Sequence, residues 1–168
     1  MNKIYLSAFT LLAFVPFVFA GVTSFSVDLN KDKKNEVVQF EDGLNGGIVT
    51  VLSKDGDLVD KVAIPGHIRR VEAISLNKDN IKQILVWFET GDHYRSIAIY
   101  GLKDNELYEI FRNGSPTGIE TNFESPLPSI RINIAKEANN MVYSMPEAKS
   151  NDWQIWFWNG KEFLQQQP

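Results

Sequence analysis

The residues best suited to chemistry lie in one loop near the start of the chain. Asp28, Asn30 and Asp32 alternate along this loop, and Glu36 follows at its ninth position. Side-chain oxygens at this spacing converge on one centre, to which Lys34 adds its backbone carbonyl. Hard oxygen ligands suit Ca²⁺, and a cation relieves the repulsion among three crowded carboxylates. The pattern predicts one calcium site, and the alternative is an acidic turn that binds no ion.

A weaker copy of the loop follows later in the chain. Leu-Asn-Lys-Asp occurs at 29–32 and again at 76–79, and an apolar pair closes each loop. The second copy retains a single carboxylate among its four matching positions, which are Ser75, Asn77, Asp79 and Gln83. We expect this copy to keep its turn without a metal. In the first loop Lys33 stands where calcium loops prefer Gly, and a positive φ there costs on the order of 1 kcal/mol.

These strings resemble the calcium loops of FG-GAP/VCBS-type repeats, which occur in integrin-like propellers and in many small secreted bacterial proteins. The resemblance is carried by Asp28-Leu29-Asn30-Lys31-Asp32 followed by Glu36-Val37-Val38. It implies calcium ligands at five positions, which are Asp28, Asn30, Asp32, Lys34 (through its carbonyl) and Glu36. It also implies a binding role rather than catalysis. Similar repeats occur in small periplasmic immunity proteins that block peptidoglycan-cleaving toxins, which is an analogy of fold alone.

Motifs for catalysis are absent from the sequence. His67 and His93 are its only histidines and have no metal-ligand spacing, and there is no Cys, no nucleophile elbow and no phosphate-cradling loop. Glu89 and Asp92 could serve as the carboxylate pair of a glycosidase, although a solvated hairpin tip is the simpler interpretation. We therefore expect a protein that is not an enzyme.

Two groups of side chains are candidates for partner binding. The first is a predicted hairpin tip made of Asp92, His93, Tyr94 and Arg95. It combines charges with an aromatic ring, a composition enriched at interface hot spots. The second group is Trp153 and Trp156. Because Trp156 and Trp158 project from the same strand face, one tryptophan row is predicted to be core, with a stacking platform for sugar or protein as the alternative.

The elements that must position these residues are predicted to be β-strands. Short β-branched or alternating runs recur, separated by tight-turn dipeptides such as Asn45-Gly46 and Asn159-Gly160. A period near 47 residues, the step from Asp28 to Ser75, with four strands per unit is typical of propeller blades. The prediction is an all-β fold of about three four-stranded antiparallel units, resembling a partial β-propeller.

The predicted organisation is one β-repeat domain over residues 21–168, with units at about 21–66, 67–113 and 119–166. Residues 113–128 are rich in Gly, Pro, Ser and Thr and are predicted to be a linker. The run 141–144 is predicted to be a strand of the third unit.

Residues 1–20 predict export. Lys3 precedes a short apolar run that ends Val18-Phe19-Ala20, the cleavage pattern of a secretory signal. Pro16 interrupts the run, which disfavours an uncleaved membrane anchor, and no later segment is apolar for long enough to span a bilayer. We therefore expect a bacterial protein that is periplasmic or secreted, whose mature chain does not insert into a membrane.

Composition limits the classes of partner that the protein can be expected to bind. The 168 residues carry a net charge of −4, which argues against nucleic acid. The expected function is an exported, non-catalytic binding module stabilised by Ca²⁺, whose partner is a protein or a cell-wall glycan. One alternative is a periplasmic immunity or inhibitor protein that blocks a peptidoglycan hydrolase, since negative charge suits a basic hydrolase. The second is a glycan-active enzyme that uses Glu89 and Asp92. The oligomeric state is left open.

Overall fold

The computed structural model describes residues 23–91, 94–134 and 153–167, whose regular structure consists of β-strands. The strands are β1 (Thr23–Val27), β2 (Glu36–Gly43), β3 (Gly46–Leu52), β4 (Leu58–Ile64), β5 (His67–Ser75), β6 (Lys82–Thr90), β7 (Tyr94–Lys103), β8 (Glu106–Ser115), β9 (Ile119–Asn122), β10 (Ser129–Asn133), β11 (Trp153–Trp158) and β12 (Phe163–Gln165). Within these residues no helix is long and apolar enough to cross a membrane.

The strands form three four-stranded antiparallel sheets, each built from consecutive strands. The first sheet contains β1–β4, the middle sheet β5–β8 and the third sheet β9–β12, and each strand pairs with the next along the chain. Tight turns make this meander possible, for example at Asp104 and Asn105, whose φ angles of 52° and 64° suit a two-residue hairpin. The predicted all-β fold of three four-stranded antiparallel units is confirmed.

The middle sheet is buried on both faces. In β6, Ile84 and Val86 face the first sheet, while Leu85 between them faces the third. In β7, Ala98 and Ile99 divide in the same way. Because successive side chains of a strand point to opposite faces, a continuous apolar run of this kind fills two cores at once. The three sheets therefore stack face to face, as consecutive blades do.

Polar side chains tie the first sheet to the middle sheet at both ends. Asp42 on β2 accepts a hydrogen bond from the backbone N–H of Ile68 on β5 at 3.0 Å. Asp60 on β4 accepts one from the N–H of Leu107 on β8 at 2.7 Å. These contacts fix how the two sheets are aligned, in addition to the packing of their apolar faces.

The third sheet differs from the prediction in one strand. The interpretation of residues 113–128 as a linker was wrong, because β8 continues to Ser115 and β9 lies within that range. Strand β9 forms because it pairs with β10, with Ile119 opposite Ile132, a tertiary contact that local composition does not reveal. The strand predicted at 141–144 lies outside the described residues.

Candidate functional site

The predicted calcium loop joins β1 to β2 and contains two residues with left-handed backbone geometry. Lys31 has a φ of 66°, and Lys33, at the position where calcium loops prefer Gly, has a φ of 68°. The carboxylate of Asp28 holds both residues. Its Oδ1 accepts the N–H of Lys31 at 2.6 Å, and its Oδ2 accepts the N–H of Lys33 at 3.0 Å. These hydrogen bonds offset the backbone strain at the two lysines.

Two further oxygen side chains organise the same loop. The Oδ1 of Asn30 accepts the N–H of Asp32 at 2.9 Å, and the Oδ1 of Asp32 accepts the N–H of Lys34 at 2.7 Å. Both are turns closed by a side chain two residues earlier. Each of these two oxygens has a second lone pair, and the carboxylate of Asp32 has a second oxygen, Oδ2. The side chains therefore shape the backbone and still have acceptor capacity for a cation.

Glu36 closes the loop from its buried side. Only 6% of Glu36 is exposed. Its Oε2 accepts the backbone N–H of Leu29 at 2.8 Å, and its Oε1 accepts the side-chain amide of Asn30 at 3.2 Å. Leu29 itself is fully buried in the core between the first and middle sheets. Glu36 thus anchors the loop to the core.

The second loop repeats these contacts with different residues. The Oε1 of Gln83 accepts the N–H of Leu76 at 3.0 Å, in the same way as Glu36 holds Leu29. The Oδ1 of Asp79 accepts the N–H of Ile81 at 3.1 Å, and Asn80 has a φ of 65°. Leu76 lies in the core between the middle and third sheets. The two loops therefore perform the same structural task one sheet apart.

The second loop differs at the positions that would face an ion. Ser75 replaces the first aspartate, and the ammonium of Lys82 donates to its hydroxyl at 2.6 Å. The Oδ1 of Asn77 accepts the indole N–H of Trp158 at 2.7 Å, which ties this loop to the third sheet. A positive charge and an intersheet hydrogen bond occupy these two positions, so the second loop is poorly suited to a cation.

An open cavity of about 340 Å³ lies between the calcium loop and the turn that joins β3 to β4. Asp32 and Glu36 of the loop line it, together with Asp55 and Asp57 of the turn. The last two are functional candidates that sequence reasoning missed, because only the stacking of the turn beside the loop brings them there. In the part of the chain that the structure describes, no three His, Cys, Asp or Glu side chains form a ready metal cluster.

The predicted partner-binding tip lies at the end of the β6–β7 hairpin. Tyr94 is 42% exposed and Arg95 is also exposed, while Asp92 and His93 lie outside the described residues. The ring of Tyr94 lies against Gly114 on the neighbouring strand, where a Cβ would collide with it. The glycine therefore lets an aromatic ring lie flat on the sheet at this end.

A second pocket, of about 270 Å³, opens beside the tip. Glu89 and Arg95 lie opposite each other on β6 and β7, and Arg70 lies opposite Trp87 on β5 and β6. A β-bulge between Ile68 and Arg70 takes Arg69 out of the pairing register, and a bulge re-aims the side chains beside it. Arg69, Arg70 and Trp87 all line the pocket. Sequence reasoning missed them, because the bulge has no signal in the sequence.

The two tryptophans predicted to bind a partner lie on opposite faces of β11. Trp156 packs against the second core, and its ring meets Phe111 edge-to-face with centroids 5.4 Å apart. Trp158 belongs to the same core row. Trp153 points the other way, and the guanidinium of Arg131 lies 4.8 Å from its ring centroid. Trp156 therefore contributes to packing, and Trp153 is the one of the pair on the outer face.

Comparisons with protein-family models, with curated proteins and with solved structures found no match for this chain.

Proposed function

We propose that the chain is an exported, non-catalytic binding module that is stabilised by Ca²⁺ and binds a protein through the β6–β7 tip, with a cell-wall glycan as the alternative partner. The observation that carries the proposal is the exposure of two side chains at the tip. The side chain of Arg95 is exposed and has no hydrogen-bond or ion-pair partner among the described residues, and the neighbouring Tyr94 is 42% exposed. The two side chains project from opposite faces of β7, and tyrosine and arginine are both enriched at interface hot spots.

The rigidity of the base supports this role. The tip extends from β6 and β7, whose central residues are buried on both faces. A binding group on such strands keeps its position, and less conformational entropy is lost when the partner binds.

The proposal assigns Ca²⁺ to the loop between β1 and β2. Asp28, Asn30 and Asp32 would bind it through their side chains, and Lys34 through its carbonyl. Glu36 would contribute from the ninth position while it anchors the loop. The donors are all oxygens, which fits Ca²⁺ rather than softer metals, and water would complete a shell of six to eight ligands.

The calcium assignment is tested by thermal unfolding with Ca²⁺ and with a chelator. The proposal expects added Ca²⁺ to raise the melting temperature, because a ligand of the folded state stabilises it by about 1.4 kcal/mol at ten times Kd. The double variant Asp28→Asn, Asp32→Asn removes two carboxylate charges and one of the two oxygens with which position 28 accepts loop N–H groups, and its response to Ca²⁺ should disappear. Asp79→Asn in the second loop is the matched control. An unresponsive wild type, or an unchanged response in the double variant, would contradict the assignment.

Partner binding is tested by capture from a periplasmic extract, with and without a chelator. The mature protein should retain a defined partner that the double variant Tyr94→Ala, Arg95→Ala loses. Lys103→Ala is the control, because it removes an exposed positive charge from the opposite end of β7. If the tip variant captures the same partner as the wild type, the binding surface lies elsewhere.

A second candidate function is inhibition of a peptidoglycan hydrolase. The active sites of glycoside hydrolases contain a pair of carboxylates, and an exposed arginine at the end of a hairpin is suited to occupy such a site. The expected result is reduced cell-wall lysis by a purified hydrolase, with weaker inhibition by Arg95→Ala. Lysis that continues unchanged at micromolar protein would exclude the hydrolase used.

The glycan-active enzyme is the least supported alternative. Glu89 accepts hydrogen bonds from the Nε and Nη2 of Arg69 at 2.9 and 2.6 Å, so its carboxylate is already paired with a cation. Its Oε2 is thereby held by the guanidinium and is not available to a substrate. Turnover of a cell-wall glycan that disappears in Glu89→Gln would restore this alternative.

A further inference from the structure

The pocket beside the tip gathers positive charge in a chain whose net charge is negative. Three arginines, Arg69, Arg70 and Arg95, line one opening of about 270 Å³. The whole chain carries a net charge of −4, so this concentration departs from the average surface. Guanidinium groups at a concave site are suited to planar anions, since each presents several N–H donors in a fixed geometry.

The charges of two of these arginines are already balanced. Arg69 pairs with Glu89, with Nη2 and Oε2 2.6 Å apart, and Arg70 pairs with Glu72 at 2.9 Å. Arg95 has no ion-pair partner among the described residues. Among the described residues, one positive charge of the lining is therefore left without a negative partner, and it matches a single negative charge rather than a polyanion.

The wall of the pocket is apolar and fixed in position. The indole N–H of Trp87 donates to Glu72 at 3.2 Å, and the guanidinium of Arg70 lies 5.3 Å from its ring centroid. The ring is half-buried and packs against the second core. Ile119, from β9 of the third sheet, completes the wall. An apolar group inserted here would lose contact with water against two rigid side chains.

We propose that this pocket binds a carboxylate attached to an apolar group, with the carboxylate on Arg95 and the apolar group against Trp87 and Ile119. The size of the pocket limits the ligand, because drug-sized ligands usually occupy about 300 Å³ or more. A single acylated amino acid is of the right size. The same chemistry occurs in a free organic acid and in the C-terminal residue of a peptide. The inference rests on the proposed function only through Arg95, which the tip and the pocket share.

Isothermal titration calorimetry with N-acetylphenylalanine tests the site on the mature protein. N-acetylphenylalaninamide has the same apolar group without the charge, and we expect it to bind at least about tenfold more weakly, which is 1.4 kcal/mol. Arg95→Met should weaken binding of the acid by a similar factor. Arg95→Lys, which keeps the charge but loses the planar fork, should fall between. Lys103→Met is the matched control and should bind as the wild type does.

Two further probes identify the source and the chemistry of the ligand. A peptide that ends in a free C-terminal phenylalanine should bind as the acid does if the pocket reads chain ends, and more weakly if it prefers free acids. Inorganic phosphate should compete poorly, because it has no apolar part. Equal binding of acid and amide, equal competition by phosphate, or no binding to the wild type at ten millimolar overturns the inference. If the ligand binds while no partner is captured through the tip, the pocket stands and the proposed function fails.

Discussion

Glu36 offers a sharp test of how the proposed calcium loop is held, because the second loop provides a control within the same chain. The carboxylate of Glu36 anchors the buried N–H of Leu29, and the neutral amide of Gln83 does the same for Leu76 one sheet away. If the acceptor oxygen is what matters, Glu36→Gln should keep the anchor and Glu36→Ala should lose it.

The expected magnitudes follow from the burial of this contact. Glu36→Ala leaves the N–H of Leu29 buried without an acceptor, which costs about 1–3 kcal/mol. The loss of the Asn30 amide contact adds to that cost, so we expect about 2–3 kcal/mol in the free energy of unfolding. Glu36→Gln keeps one acceptor oxygen, so the N–H of Leu29 exchanges a charge-assisted hydrogen bond for a neutral one, the Asn30 amide loses its acceptor, and the desolvation of a buried carboxylate is removed. These opposing effects leave a change of about 1 kcal/mol or less.

Urea unfolding at pH 7 in the presence of a chelator measures both variants without any contribution from calcium. Gln83→Ala should cost somewhat less than Glu36→Ala, because Gln83 holds the N–H of Leu76 without a second contact of the Asn30 kind, and equal denaturant slopes would show that the unfolded states are comparable. The reasoning fails if Glu36→Ala and Glu36→Gln have the same stability, since the anchor would then contribute nothing. Repeating the measurement with Ca²⁺ separates the anchoring role of Glu36 from its proposed role as a ligand.

Two other predictions concern the cores. Burial raises the pKa of Tyr100, the charge of Glu109 adds to this rise and Arg112 opposes it. The contribution of Tyr100 to stability is therefore complete below the pKa of 10.0 that the side chain has in the unfolded chain, and it is lost as pH rises through the higher pKa of the folded state. Tyr100→Phe should therefore flatten the decline in unfolding free energy that is measured from about pH 9 to 11. Trp158→Phe removes the intersheet hydrogen bond to Asn77. A double-mutant cycle with Asn77→Ala should give a coupling free energy of about 0.5–1.5 kcal/mol. A coupling free energy near zero would mean that this hydrogen bond does not stabilise the fold.

The fold could be predicted from the sequence because its signals are local. Period-2 alternation and turn dipeptides mark strands wherever both are strong, as at the Asn159-Gly160 turn that separates β11 from β12. The ends of strands are harder to predict from the sequence, because the exposed residues Tyr94 and Lys103 belong to β7 only through their pairing with neighbouring strands. Strand β9 has four residues and exists through its partner β10, so the local sequence carries little trace of it.

The candidate sites also divide into residues that the local sequence reveals and residues that only the tertiary structure brings together. The predicted calcium loop is contiguous in sequence, so the alternation of its oxygen-bearing side chains is visible in the sequence, as is the lysine at the position where calcium loops prefer Gly. The carboxylates of Asp55 and Asp57 come from a turn beyond two strands, and only the packing of the first sheet brings them to the cavity. Arg69 enters its pocket because a bulge shifts the register of β5 by one residue. Such positions depend on pairing and stacking, which one sequence does not specify.

The double-sided burial of the middle sheet has a consequence for how the molecule opens. In a stack of units, each unit is stabilised by its own contacts and by those with its nearest neighbours. Among the described residues, the middle sheet has two neighbouring sheets while the first and third sheets have one each, so local unfolding should begin at the ends of the stack. The proposed calcium loop belongs to one of these end units. A cation bound there would slow the opening of the end unit and limit its exposure to proteases.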